Sequence, residues 1–151
     1  MLQVGKKAPD FNMANESGDT VTLSDFRGSR TLIFFYAKDN TSGWTAEALE
    51  FQERLADFTK LNVKIIGVSK DSVQSHAKFR DKLGLAFPLL SDPDHTMMAA
   101  YGAWGERKMY GKTVQGTLRS TVIIDAVGNI EKIYAKVKAK GHAQQVLEDL
   151  R

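Results

Sequence analysis

The chain predicts an α/β fold, a sheet with helices packed on it, because segments of period two alternate along it with segments of period 3.6. Two runs carry most of that reading. Thr31-Leu-Ile-Phe-Phe-Tyr36 and Val63-Lys-Ile-Ile-Gly-Val-Ser69 are β-rich and apolar, as strands buried on both faces must be, and each is followed by a helical stripe. Right-handed crossovers then set the two strands side by side and parallel at the sheet centre. A length of 151 residues suits one core, so a single domain over residues 1–151 is expected.

Around this centre the remaining elements follow in order. Asp10 to Met13 and Thr20 to Leu23 flank the polar turn Glu16-Ser-Gly-Asp19 and predict a small hairpin, with a helical turn at Ser24 to Phe26. After the first long strand comes a polar loop, Lys38 to Gly43. Trp44, Ala48, Phe51, Leu55 and Phe58 then recur at spacings of four and three, one side of a helix that Thr41 or Ser42 would cap. Ser72 caps a second helix, which Gly84 stops near Leu83. Phe87 to Leu90, a helix from His95 to Tyr101, strands from Ser120 to Asp125 and Ile130 to Val137, and a last helix using Ala143, Val146, Leu147 and Leu150 complete the order. Gly102 to Thr117 reads as a polar loop, long enough to be functional or mobile.

Composition narrows the function. The net charge is +3, from 21 basic and 18 acidic residues with the signs interspersed, so no strong field is expected. Basic residues thicken at Arg107, Lys108 and Lys112, and at Lys132, Lys136, Lys138 and Lys140, where the spacing suggests one face of a strand. No reading motif or stacking platform accompanies them, so a solvated face is expected and nucleic-acid binding is not. No apolar run approaches the roughly 20 residues of a membrane helix, and a cytoplasmic location without membrane contact is expected. His76, His95 and His142 lack zinc-like spacing and read as polar helix residues, so no metal or cofactor is expected. Cysteine is absent, which removes disulfides, thiolate metal sites and any thiol nucleophile.

A strand that runs into a polar loop and a helix N-terminus collects free backbone N–H groups at one spot and favours an anion there. The segment Ala37-Lys-Asp-Asn-Thr-Ser-Gly-Trp44 has that architecture. Phe34 to Phe51 as a whole resembles the active-site segment of the Q, or bacterioferritin comigratory, branch of the peroxiredoxins, which carries Pro-x-x-x-Thr-x-x-Cys. The proline position is Ala37, Thr41 is kept, Trp44 stands at the peroxidatic cysteine position, and Leu49 stands at the resolving position. Gly67 to Ser72, Ser75 to Phe79, Phe87 to Asp92, Tyr101 to Glu106, Met109 to Lys112 and Arg119 to Thr121 extend the resemblance over nearly the whole chain.

The resemblance implies a thioredoxin-like fold, a central mixed β-sheet flanked by helices with an N-terminal β-hairpin. It implies a scaffold that in its active form reduces hydrogen peroxide and organic hydroperoxides with a thioredoxin-like reductant, as a monomer or weak dimer. Thr41 and Arg119 match the residues that hold peroxide and thiolate, and Glu47 matches a nearby glutamate. From the residues themselves, Thr41 could equally be only a helix cap, Arg119 a surface cation and Glu47 a first-turn carboxylate favoured by the helix dipole. Trp44 offers no nucleophilic atom, so peroxidase chemistry is not expected; its place on the apolar stripe predicts that it plugs the peroxide entrance. Leu49 lies about 100° round the helix from Ala48, at its edge or exposed. Members with two cysteines unwind this helix start to join them, and a bulky Trp44 would either lock the turn or force it open. Two readings compete: a peroxiredoxin silenced by engineering or drift, and a non-catalytic binding or chaperone-like protein.

Overall fold

The computed structural model describes residues 2–39, 42–138 and 140–151. In chain order the strands and helices are β1 (Asn12–Ala14), β2 (Thr20–Thr22), β3 (Arg30–Phe35), α1 (Ser42–Glu53), α2 (Leu55–Lys60), β4 (Val63–Ser69), α3 (Val73–Leu83), β5 (Leu89–Ser91), α4 (Thr96–Ala100), β6 (Trp104–Met109), β7 (Lys112–Thr117), β8 (Ser120–Ile124), β9 (Ile130–Ala135) and α5 (His142–Leu150), with a 3-10 turn over Leu23–Phe26. Seven strands form a mixed sheet in the order β2-β1-β5-β4-β3-β8-β9. The two long apolar runs lie parallel at its centre, as their crossover predicts, with Leu32 opposite Ile65 and Phe34 opposite Gly67. β8 runs antiparallel to the other side of β3.

Because side chains alternate across a strand, the sheet divides the apolar residues between two cores. Leu32, Phe34 and Ile65 face Phe51, Phe58, Phe79 and Val146 under α1, α2, α3 and α5. Ile33, Phe35, Ile66 and Val122 face Met97, Met98 and Tyr101 on the opposite side. The stripe begun at Trp44 is carried by two helices and not one, since Arg54 turns out of helical geometry at φ −105° and ψ 7°. α3 starts and stops where its sequence says. Ser72 Oγ accepts the Ser75 N–H at 3.1 Å, and Gly84 closes the helix in the left-handed region at φ 65°.

Two expectations are corrected. Gly102 to Thr117 is not an irregular loop; β6 and β7 pair along their length as a separate two-stranded hairpin. Its tip is the two-residue turn Tyr110-Gly111, with φ of 53° and 77°, and two consecutive positive values suit the right-handed twist of the strands they join. The base of the hairpin is tied down by Trp104, which stacks on His95 at 4.0 Å. The second correction concerns the lysines near the C-terminus. β9 ends at Ala135, so Lys136, Lys138 and Lys140 lie on the connection to α5 and not on a strand face.

Gly67 marks the tightest approach in the sheet. A Cβ there would lie 2.8 Å from Phe34 Cζ and 2.9 Å from Leu89 Cδ2, closer than carbon atoms pack. Gly67→Ala is therefore expected to lower unfolding stability by roughly 1–3 kcal/mol, the usual range for overpacking a filled core. Urea denaturation measures it, and an unchanged midpoint would show that Phe34 and Leu89 yield freely.

Candidate functional site

The pairing of β8 with β3 builds the site. Ser120 lies opposite Phe35, the last residue of β3, so Arg119, one residue before β8, is delivered to the place where the chain leaves β3 and enters α1. Its guanidinium holds three residues of that helix start. Nη2 donates to the Gly43 carbonyl at 3.0 Å, Nε donates to Glu47 Oε2 at 3.2 Å, and Cζ sits 3.7 Å from the Trp44 ring centroid. The last distance is a close cation–π contact. Arg119 and Glu47 are thus brought together with Trp44.

Glu47 is not the first-turn carboxylate that the residues alone allowed; it is 1% exposed, on the second turn of α1. Its spacing carried the signal: Trp44, Glu47, Ala48 and Phe51 fall at i, i+3, i+4 and i+7, the inward face of a helix. Burial is the main force on its carboxyl and raises it from an ordinary 4.5 to about 7, against the pull of Arg119 and with a smaller push from Glu50. Glu47 Oε1 is buried without a hydrogen-bond partner among the described residues.

Trp44 packs against the α-side core, with its ring 6.2 Å from Tyr36. It is only half-buried, however, and walls an open cleft of about 470 Å³ together with Leu118, Arg119 and Ala135. The expected plug is a wall. Leu49 is half-buried, and Thr41 lies outside the described residues.

Two histidines also depart from expectation, since His76 is fully buried and His142 nearly so. His76 belongs to a latch on the loop before α1. Its Nε2 faces the Leu90 carbonyl at 2.9 Å and its Nδ1 faces Asp39 Oδ2 at 2.9 Å. The ring thus ties α3 to β5 and to the chain before α1. Asp39 also accepts from Tyr36 Oη at 2.6 Å and from Ser75 Oγ at 2.8 Å. Its own N–H donates to Asp71 Oδ2 at 2.9 Å. Burial first, and then the Asp39 charge, push the Tyr36 phenol upward, which keeps it a donor. Atoms of Asp39, Asp71 and His76 come within 4.8 Å of one another, near enough to share a cation. They are engaged by these donors instead, so the cluster fixes the chain path into α1.

His142, at the start of α5, meets the Thr121 hydroxyl at 2.8 Å and the edges of Phe51 and Tyr134. Burial and then the Arg119 charge lower it from 6.5 to about 4, with Asp149 opposing. Neither buried histidine could be found from local sequence, because its partner lies on another element.

Opposed slopes of stability against pH follow. Between pH 4.5 and about 7 the folded chain keeps a Glu47 proton that the unfolded chain has lost, so this group's contribution falls as pH rises. Between about pH 4 and 6.5 the unfolded chain holds a His142 proton that the folded chain lacks, so that contribution climbs with pH. Glu47→Gln removes the falling member. Its stability minus that of the parent should rise by about 1 kcal/mol per pH unit across the Glu47 window, measured by urea denaturation in a pH series. A difference independent of pH would show that Glu47 is ionised throughout.

The comparisons with known proteins agree with this architecture. The AhpC/TSA family profile matches residues 4–133. Peroxiredoxin Bcp of Bacillus subtilis is 41% identical over 150 residues, covering 99% of this chain and 96% of that protein. Among solved structures, the bacterioferritin comigratory protein of Xanthomonas campestris, described with an alkyl peroxide reduction activity, superposes with a TM-score of 0.92 at 40% identity, covering 98% of this chain and 97% of that one. A cysteine-to-serine variant of Xylella fastidiosa PrxQ gives a TM-score of 0.94 at 36% identity, covering 99% and 96%. With the thioredoxin-like peroxiredoxin fold present and no cysteine in the sequence, the chain belongs to the AhpC/TSA family, as a cysteine-free member of its Bcp, or Q, branch.

Proposed function

We propose that the chain is a peroxiredoxin whose peroxidase centre is silent and whose charge-stabilising partners remain. Trp44 stands at the peroxidatic position, Leu49 at the resolving position, and Arg119, Glu47 and Thr41 are the retained surroundings. One observation supports this above the others: Arg119 reaches Gly43, Trp44 and Glu47 together, at the helix start where an attacking thiolate would need a cation.

The chemistry follows from the side chains. In an active member a thiolate attacks one peroxide oxygen, the O–O bond breaks, and a dithiol such as thioredoxin returns the sulfur to its reduced state. An indole has one N–H donor and no nucleophilic lone pair, so Trp44 starts no such cycle. Met97 and Met98 are buried on the opposite side of the sheet and offer no substitute route. We infer that residues 1–151 act as one domain, a monomer or weak dimer in the cytoplasm, with hydroperoxide and thioredoxin-like reductant as partners only of a thiol-bearing form.

A reversion tests the reading. The parent should consume no hydroperoxide with a thioredoxin system, whereas Trp44→Cys should react with hydrogen peroxide about 10²–10³-fold faster than free cysteine, the gain one well-placed electrostatic partner supplies. Stopped-flow fluorescence or competition kinetics measures the rate. A reverted thiol no faster than free cysteine would show that the surroundings are not retained.

A further inference from the structure

We propose that the cleft walled by Trp44 is a binding site for a small amphipathic monocarboxylate, an anionic head on an aliphatic or aromatic body, a role that rests on the silent-centre reading above. Replacing a thiolate by an indole takes one negative charge from beside Arg119 and leaves the cation. Glu47 is the acid paired with it, and burial holds that carboxyl partly protonated near neutral pH. Arg107 and Lys136 line the same cleft, and Glu106 is the acid among its lining residues. The surplus is positive, and an anion completes it.

The walls define the rest of the ligand. Trp44, Leu118 and Ala135 present apolar surface to the cleft. At about 470 Å³ it is the size of a small-molecule site. The Trp44 ring is pinned by the guanidinium at 3.7 Å, so the wall is held in place before a ligand arrives. Ser120 also lines the cleft; it is 7% exposed, and its hydroxyl is buried with no hydrogen-bond partner among the described residues. A bare inorganic anion would leave the apolar wall wet, and an alcohol would leave the cations unmatched. A carboxylate with an apolar body satisfies both.

Octanoate, octanol and octylammonium, titrated into the unmodified chain and followed by backbone amide NMR, separate head from tail. The proposal expects saturable octanoate binding with shifts at Gly102, Leu118, Ser120 and Ala135, about tenfold tighter than octanol, and no saturation by octylammonium. Arg107→Ala with Lys136→Ala should weaken octanoate several-fold while leaving the spectrum of the fold intact. Octanol binding as tightly as octanoate, shifts confined to the hollow around Lys138 and Lys140 at the α5 end, or no saturable binding would each overturn it. The parent reading fails separately, through a Trp44→Cys thiol that is not activated, and that outcome leaves octanoate binding as measured.

Discussion

Everything at the head of α1 depends on where one guanidinium is held. The antiparallel pairing of β8 with β3 puts Arg119 at the exit of the central strand, and its contacts with Gly43, Trp44 and Glu47 turn that position into a clamp on the helix start. The clamp joins a backbone carbonyl, an aromatic face and a carboxylate, three acceptors that differ in how they change with pH. Only the carboxylate titrates. The two contacts that persist are those to the chain and to the ring, and they hold the turn of α1 closed whatever the state of Glu47.

From the other end of the same loop, the Asp39 latch fixes the backbone before α1 to α3 and β5. A buried aspartate beside a buried histidine is stable only with its remaining lone pairs filled, and Tyr36 and Ser75 fill them. The chain is therefore held at Asp39 by a polar network, and at Gly43 and Glu47 by Arg119. A site intended for a reactive group needs such anchoring, and here the anchors stand without the group. That combination carries the reading of a scaffold kept while its nucleophile is lost.

Much of the fold was legible in the residues. The apolar runs at Thr31 and Val63 could only be buried strands, and Ser72 and Gly84 bracket α3 by ordinary capping chemistry. The hairpin from Trp104 to Thr117 was not legible, because both its strands are polar and its turn begins with Tyr110, a residue that rarely takes a positive φ. At the site, the positions of Trp44 and Arg119 followed from the resemblance, while their contact required the register of β8 on β3. Glu47 was within reach, since it shares the inward face of α1 with Ala48 and Phe51. His76 and His142 were beyond reach: each is buried by a partner far along the chain, Asp39 and Thr121, and neither pairing leaves a local trace.

The claim at the centre is that Arg119 and Trp44 are energetically coupled, the indole taking the place of an anionic partner. A double-mutant cycle of Trp44→Leu and Arg119→Leu, read by urea denaturation at pH 8, measures that coupling directly. A coupling of about 1–2 kcal/mol is predicted for a partly buried cation–π pair. Additivity within about 0.3 kcal/mol would mean that the two side chains only lie near each other, and the account of the site would fail.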